Sequence, residues 1–590
     1  MNPVFIGKGL RSCSQFRTSI LVTLFVLLCL SVLVPAQPTS SEQPAVIDLK
    51  PIEYFRISKA AKQYFRDKNF KMSEELLERL VQTNSSDGNI WSFLASSRYE
   101  LKHFREAIPA YEKAAELGFL NAGEAAYQIA RCYSFLSEPE SALEWLKKAL
   151  HSRYRNRIRI IRDDAFKSLR DDARFLQLAG SPKDKNTGRI RGWTTDLDYL
   201  ISEIQRVHYS FSREPLPRNF LLEAAEIRRD LKHLSDTEVI VRFQRLITLL
   251  GDGHSLIYPF GMRLGSLKRL PLTFYLFSDG LFVIDAADPL KDMIGKKVLS
   301  LGGLSTEKVI KGLEQLVSRD NPMGLKWAGV FYLTLPDFLK ELGVATNRDQ
   351  VSFLFEDTGK QQKKSITVSA TKLDPDAINI KLIPVKITTF APVPLYLSQL
   401  TSNYWFQKLD QETVYFQFNQ VQDQANETLA AFSLRLRKFL DENNIKNLII
   451  DVRLNNGGEA TLLNELYRTL VHFETTRERA SIYVLIGRDT FSAAQTFVSS
   501  INYLTGAIYV GEPSGSKPNR VGDEARFKLP FSGVLGSIAS GYNQAANKDN
   551  RIWIAPDIPV ELSSKDYFGN HDPVLETVLE IIKNSPESNR

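Results

Sequence analysis

Apolar and polar positions change their spacing several times along this 590-residue chain. An unbroken apolar run at residues 20–34 comes first, preceded by Lys8, Arg11 and Arg17 and followed by Pro35 and Ala36. After a polar stretch, apolar residues recur at intervals of three and four up to about residue 180, the mark of helices that each bury one face. Small residues there keep a longer period. Ala95, Ala107 and Ala114 return as Ala130, Ala142 and Ala149, each 35 positions later, and Ala61, Leu77 and Leu80 stand 34 positions before Ala95, Tyr111 and Ala114. Such a period predicts paired helices that cross at small side chains. A polar break at 181–188 separates this array from further helical spacing over 193–250. From Leu270 short β-type runs take over at 272–276, 281–284 and 297–301, the last running through Gly302 and Gly303 into a helical stretch at 306–317. Beyond Ala391, apolar strands at 414–418, 448–452 and 481–486 alternate with helical patterns at 427–443, 460–472 and 493–504. That alternation predicts an α/β layer with mainly parallel strands.

The 34- and 35-residue units, with Trp91 and Leu94 opening one of them, resemble tetratricopeptide repeats, which stack into concave surfaces that bind proteins or peptides. The strand, glycine pair and helix around Gly302 resemble a PDZ-type module, which captures peptide ends by strand addition. The expected fold is therefore a multidomain α and α/β chain. It comprises an export segment 1–36, a linker 37–51, helical repeats 52–180, a helical module 189–265, a PDZ-like module 266–380 and an α/β core 391–590.

Composition narrows the function. With 43% apolar and 24% charged residues, and 26 prolines and 32 glycines dispersed along the chain, this is an ordinary globular composition, not a collagen, a disordered chain or a polytopic membrane protein. Of the net charge of +7, three units lie in the first 36 residues, which hold no acid. The nearly balanced remainder offers no basic face for a phosphate backbone, so no nucleic acid partner is expected. The basic start, apolar run and small residues have the order of an export signal. The 15-residue run would rise only about 22 Å as a helix against a hydrocarbon core of roughly 30 Å, so membrane attachment is expected only if the segment stays uncleaved. Cys13 and Cys29 fall inside that segment, leaving Cys132 alone and no internal disulfide. An exported chain of this kind fits a bacterial envelope, periplasmic or extracellular. Cys132 reads as a buried small apolar residue. The histidines stand singly, without ligand spacing, so neither metal nor other cofactor is implied.

Two segments carry candidate chemistry. The buried strand from Asn447 ends at Asp451 and passes through Arg453, Asn455 and Asn456 into Gly457 and Gly458, a turn whose backbone amides can face an anion. About 34 residues on, another strand runs through Phe491 into Ser492 and Ala493 at the start of a helix, which exposes a serine hydroxyl and offers the Ala493 amide as an oxyanion donor. A serine nucleophile needs a base, and two are in view. Lys517, 25 residues past Ser492, could act if burial lowered its pKa. His254, in Asp252-Gly253-His254-Ser255, needs no large shift to act near neutral pH.

Together these blocks, with Gly511-Glu-Pro-Ser-Gly-Ser-Lys517 and Ala555-Pro-Asp-Ile-Pro-Val560, resemble the tail-specific, or carboxyl-terminal processing, serine peptidases. Their relatives are the tricorn core protease and the interphotoreceptor retinoid-binding protein modules. The resemblance covers roughly residues 192–582, is densest from Tyr415 onward and leaves out the repeats. It implies a crotonase-like core, a PDZ-type domain, Ser492 as nucleophile, Lys517 as base of a Ser/Lys dyad, and Gly457 and Gly458 at the oxyanion. His254 matches the base of the tricorn branch. The matching block and spacing favour Lys517, with geometry to arbitrate. Gln495 departs from the glutamate common after the nucleophile. The expected function is an exported serine endopeptidase acting on proteins or peptides through an acyl-enzyme, with the repeats recruiting substrate or an adaptor protein. The alternative is a non-catalytic carrier or envelope scaffold on the same fold.

Overall fold

A computed structural model describes residues 49–180, 188–258, 267–373 and 393–584. The export segment, most of the linker, the break at 181–187 and the end of the PDZ-like stretch lie outside the described residues. No helix among those described is long and apolar enough to cross a membrane.

The chain opens as a helical array: Pro51–Arg66, Phe70–Thr83, Gly88–Glu100, Phe104–Glu116, Ala122–Phe135 and Pro139–His151. Side-chain caps mark several starts. Asn69 accepts from Met72 N, Asp87 from Asn89 N and Ile90 N, and Asn121 from Glu124 N. Every small or apolar residue of the 34- and 35-residue schedule is buried, from Ala61, Leu77 and Leu80 to Ala142, Leu146 and Ala149. The period reflects helix crossings, where a larger side chain would push the axes apart. Cys132 is buried in the same core, which pushes its thiol up to about 12.

Three helices, Arg189–Val207, Arg218–Asp230 and Asp236–Thr248, form the next layer around the fully buried Trp193. The Trp193 indole N–H donates to Asp236 at 2.8 Å. Glu203, 2% exposed, ties this layer to the repeats. It accepts from Arg157 at 3.1 Å and from Arg206, whose guanidinium also reaches the carbonyls of Leu150 and Tyr154 at 3.1 and 3.0 Å. The other side of the layer packs on a long hairpin, Arg520–Lys528 with Leu535–Asn543, through Phe527, Val534 and Ile538.

The middle of the chain is an antiparallel sheet in the order Leu272–Phe277, Gly280–Ala286, Lys297–Leu301, Gln350–Asp357, Gln362–Ser369, with Leu304–Ser305 beside the third strand. Helices Thr306–Gly312, Pro322–Tyr332 and Pro336–Glu341 share its core. Gly302 and Gly303 both have positive φ and make the turn into Leu304–Ser305.

The C-terminal layer is a six-stranded sheet in the order Tyr404–Lys408, Thr413–Phe418, Asn447–Asp451, Ser481–Ile486, Ile508–Gly511, Ile558–Pro559. Its first pair is antiparallel and the rest are parallel. Strand side chains alternate between faces. Val414, Phe416, Leu448, Ile450, Ile482 and Val484 meet helices Leu429–Glu442, Asn464–Thr475 and Ala493–Leu504, whereas Tyr415, Ile449, Tyr483 and Leu485 meet helix Pro573–Asn584. Burial on both sides explains why these strands read as continuous apolar runs. The chain is thus a helical repeat region followed by a mixed helical and α/β body.

Candidate active site

Parallel strands leave their carboxyl ends on one edge of a sheet, and two of those ends build the site. After Ser481–Ile486 the chain turns through Gly487–Phe491 and enters helix Ala493–Leu504 at Ser492, whose φ is 52° and ψ −120°. A non-glycine residue in this region costs on the order of 1–3 kcal/mol, so the surroundings must hold it. They do so through buried polar bonds. Thr490 Oγ donates to the Val452 carbonyl at 3.0 Å, and Phe491 N donates to the Asn455 carbonyl at 3.1 Å. Asn455, itself buried, donates from Nδ2 to the Phe418 carbonyl at 3.0 Å and accepts from Gly457 N at 3.0 Å. The two strand-end turns are therefore one stitched unit.

Gly457 and Gly458 follow at φ values of 114° and 137°. A β-carbon on Gly457 would stand 2.7 Å from Ser492 Cβ and 2.9 Å from Ala493 N, and one on Gly458 only 2.1 Å from the Val421 carbonyl oxygen. Glycine is required by contact as well as by φ. The Gly457 amide, however, is already taken by Asn455. Gly457 N is thus engaged within the turn, and the residue's open side faces the elbow. The amides of Gly458 and Ala493 donate to no acceptor among the described residues.

His254 arrives from a different layer. Helix Asp236–Thr248 ends in a turn through Gly251 that leads to the short strand Leu256–Ile257, which pairs with Leu535–Asn543. The pairing fixes His254 opposite the elbow, where its Nε2 lies 3.1 Å from Ser492 Oγ. The imidazole stacks on Phe491 at 4.6 Å between centroids and 24° between planes, and Trp327 lies on Phe491 in turn. Burial lowers the His254 pKa, as does Arg520, against the carboxylates of Asp320, Asp252 and Glu524. Its Nδ1 is buried without a hydrogen-bond partner among the described residues.

Of the two candidate bases, only His254 touches the serine. Lys517 is partly buried in the loop ahead of strand Arg520–Lys528, and makes no hydrogen bond to Ser492 or ion pair among the described residues.

Supporting groups went unflagged in the sequence. Asp252, buried beneath the histidine loop, accepts from His254 N, Ser255 N, Ser255 Oγ and His208 Nε2 at 2.9, 2.7, 2.9 and 3.2 Å. Two backbone amides, Ser210 N and Phe211 N, donate to His208 Nδ1, so the ring proton sits on Nε2 and faces the carboxylate. Burial would raise the Asp252 pKa, but the bonds from His208 and Ser255 outweigh it and hold the group below its ordinary value. Asp320 and Asn321, at the foot of helix Pro322–Tyr332, form a second brace. Asp320 accepts from Gly253 N at 2.8 Å and from Ser516 Oγ, and Asn321 Nδ2 reaches the carbonyls of Ser514 and Ile552 at 3.0 and 2.8 Å. Asp252 could have been suspected from its place beside His254. Nothing in the sequence marks Asp320.

No family model and no curated protein matches the chain. Solved structures do. Mature CPAF aligns over 67% of this chain and 97% of its own at 14% identity and a TM-score of 0.49. The photosystem II D1 C-terminal processing protease aligns over 67% and 98% at 13% identity and a TM-score of 0.34. The translocator chaperone SycD of Yersinia enterocolitica covers 22% of this chain and 91% of its own, at 16% identity and a TM-score of 0.17.

Proposed function

We propose that this protein is a serine endopeptidase in which Ser492 is the nucleophile, His254 the general base, and the amides of Gly458 and Ala493 the oxyanion donors. The observation that carries the reading is the 3.1 Å contact between Ser492 Oγ and His254 Nε2 at a positive-φ elbow flanked by two unpaired amides. Ser492 Oγ bonds to the substrate carbonyl carbon while its proton passes to His254 Nε2. The carbonyl oxygen takes the negative charge and lies against the two N–H groups. Collapse breaks the C–N bond, and the proton on Nε2 goes to the departing amine. Water then attacks the acyl-enzyme, again through His254, releasing the carboxylate and restoring the hydroxyl. Lys517 stands outside this proton path.

Three further readings belong to the same proposal. The basic and apolar opening of the sequence supports export to the periplasm or beyond. The antiparallel module with helix Thr306–Gly312 supports a PDZ-like role in holding peptide ends. The repeat array supports capture of a protein substrate or adaptor.

The test is labelling by a fluorophosphonate probe together with cleavage of a quenched-fluorescent peptide library by the purified chain. Both should vanish in Ser492→Ala and fall by about 10²–10⁴ in His254→Ala, the usual contribution of a general base. Lys517→Ala should stay within about threefold of the unaltered chain, a change on the scale of a surface substitution rather than of a lost base. Labelling that survived in Ser492→Ala would overturn the nucleophile, and the reverse ranking of the other two variants would overturn the base.

A further inference from the structure

Arg520 is 4% exposed and forms no ion pair among the described residues. Its Nη2 donates to the Ser492 carbonyl at 2.5 Å and to Thr496 Oγ at 2.8 Å, while Nε and Nη1 are buried without partners. Burial brings its pKa down to about 10. A desolvated, unpaired guanidinium is a cost to folding. Its position adds to that cost, because it lies at the N-terminal end of helix Ala493–Leu504, where the helix dipole is already positive. The carboxylates of Asp320 and Asp523 favour the charge without overcoming its burial, and neither packing nor helix electrostatics accounts for a cation there. A reaction that develops negative charge at the same place does.

The geometry points to Arg520 as a positioning residue that strengthens the oxyanion donor of Ala493 by holding the opposite end of the same peptide. The carbonyl that Arg520 grips and the N–H of Ala493 belong to one planar unit, in which C=O and N–H point in opposite directions. A charge-assisted bond to the oxygen fixes the plane and polarises the group, so the N–H becomes a better donor. It also ties down the positive-φ residue that carries the nucleophile. This inference rests on the peptidase reading and deepens it.

The groups facing His254 are Asp320, Asp252 and Glu524, which favour the imidazolium, and Arg520, which opposes it. Removing Arg520 therefore has a second consequence of known sign. The imidazolium becomes easier to form, and the acid limb of the pH profile moves to higher pH.

The experiment compares the full chain with Arg520→Met, Arg520→Gln and Arg520→Lys. Arg520→Met should lower kcat about ten- to a hundredfold, less than the loss of a whole oxyanion donor, with KM little changed. A peptide aldehyde that forms a tetrahedral adduct should lose affinity in step with kcat, whereas an uncleaved peptide amide competitor should not. Arg520→Lys should recover more of kcat than Arg520→Gln, because it keeps the charge. An effect confined to KM, equal weakening of aldehyde and competitor, or an unmoved acid limb would overturn the inference. Should Arg520→Met fail to fold, the ranking of Lys over Gln decides the matter, and equal activities overturn it. Absence of labelling in the unaltered chain would instead overturn the peptidase reading itself.

Discussion

Gly457→Ala separates the geometry of the elbow from its stability. The new β-carbon would lie 2.7 Å from Ser492 Cβ, 2.9 Å from Ala493 N and 3.1 Å from the Phe491 carbonyl, whereas ordinary contact begins at 3.4 Å. Relief requires the two turns to part by about 0.7 Å. The atoms in the way are backbone and Cβ, so no side chain can swing aside. A nucleophile displaced by the better part of an ångström loses roughly 10²-fold in rate. An l-residue at φ 114° adds about 1–3 kcal/mol of strain to the folded state. Gly295→Ala is the control: its φ is 83°, but nothing lies within 4 Å of its β-carbon. Both variants should lose stability in urea unfolding, Gly457→Ala the more because its clash adds to the strain. Only Gly457→Ala should lose kcat, measured with a fluorogenic peptide, and fluorophosphonate labelling should slow in parallel. Full activity in Gly457→Ala, or equal inactivation by Gly295→Ala, would refute the claim that this close approach positions the serine.

Other expectations follow from the same geometry. Because burial lowers the His254 pKa and the neutral ring is the proposed base, kcat/KM should fall on acidification with a midpoint below 6.5, read from a pH profile of the free protein. Asp489, buried in the elbow turn, has its pKa raised by burial to about 7. Its protonated form favours the fold, a contribution present at low pH and lost as pH rises from 3.8 to about 7. Asp489→Asn should therefore stabilise the chain at pH 8, by no more than about 4 kcal/mol, and hardly at all at pH 4, by thermal unfolding in the two buffers. Asp252→Ala leaves the amides of His254 and Ser255 and the His208 ring without their shared acceptor. It should cost about 1–3 kcal/mol or more and reduce kcat more than KM, as measured by urea unfolding and steady-state kinetics.

The sequence by itself determined whatever depends on neighbours along the chain. Alternation and apolar runs located strands 447–451 and 481–486 to within a residue, because burial of both sheet faces forces continuous apolar side chains. The 34- and 35-residue schedule located buried positions of the helical array, because small or apolar side chains recur where paired helices pack. Ser492 and the glycine pair were legible for a local reason too: a strand-to-helix elbow and a close backbone approach each demand particular residue types at fixed offsets. The contact of His254 with Ser492, the braces and the buried cation were decided by tertiary structure alone. His254 precedes Ser492 by 238 positions, and a two-residue strand paired with Leu535–Asn543 brings them together. Asp320 reaches Gly253 from the middle module, and Arg520 grips the Ser492 carbonyl from the first residue of a hairpin. Contacts of this kind are set by how layers pack, and a linear spacing such as the 25 residues from Ser492 to Lys517 does not encode direction in space.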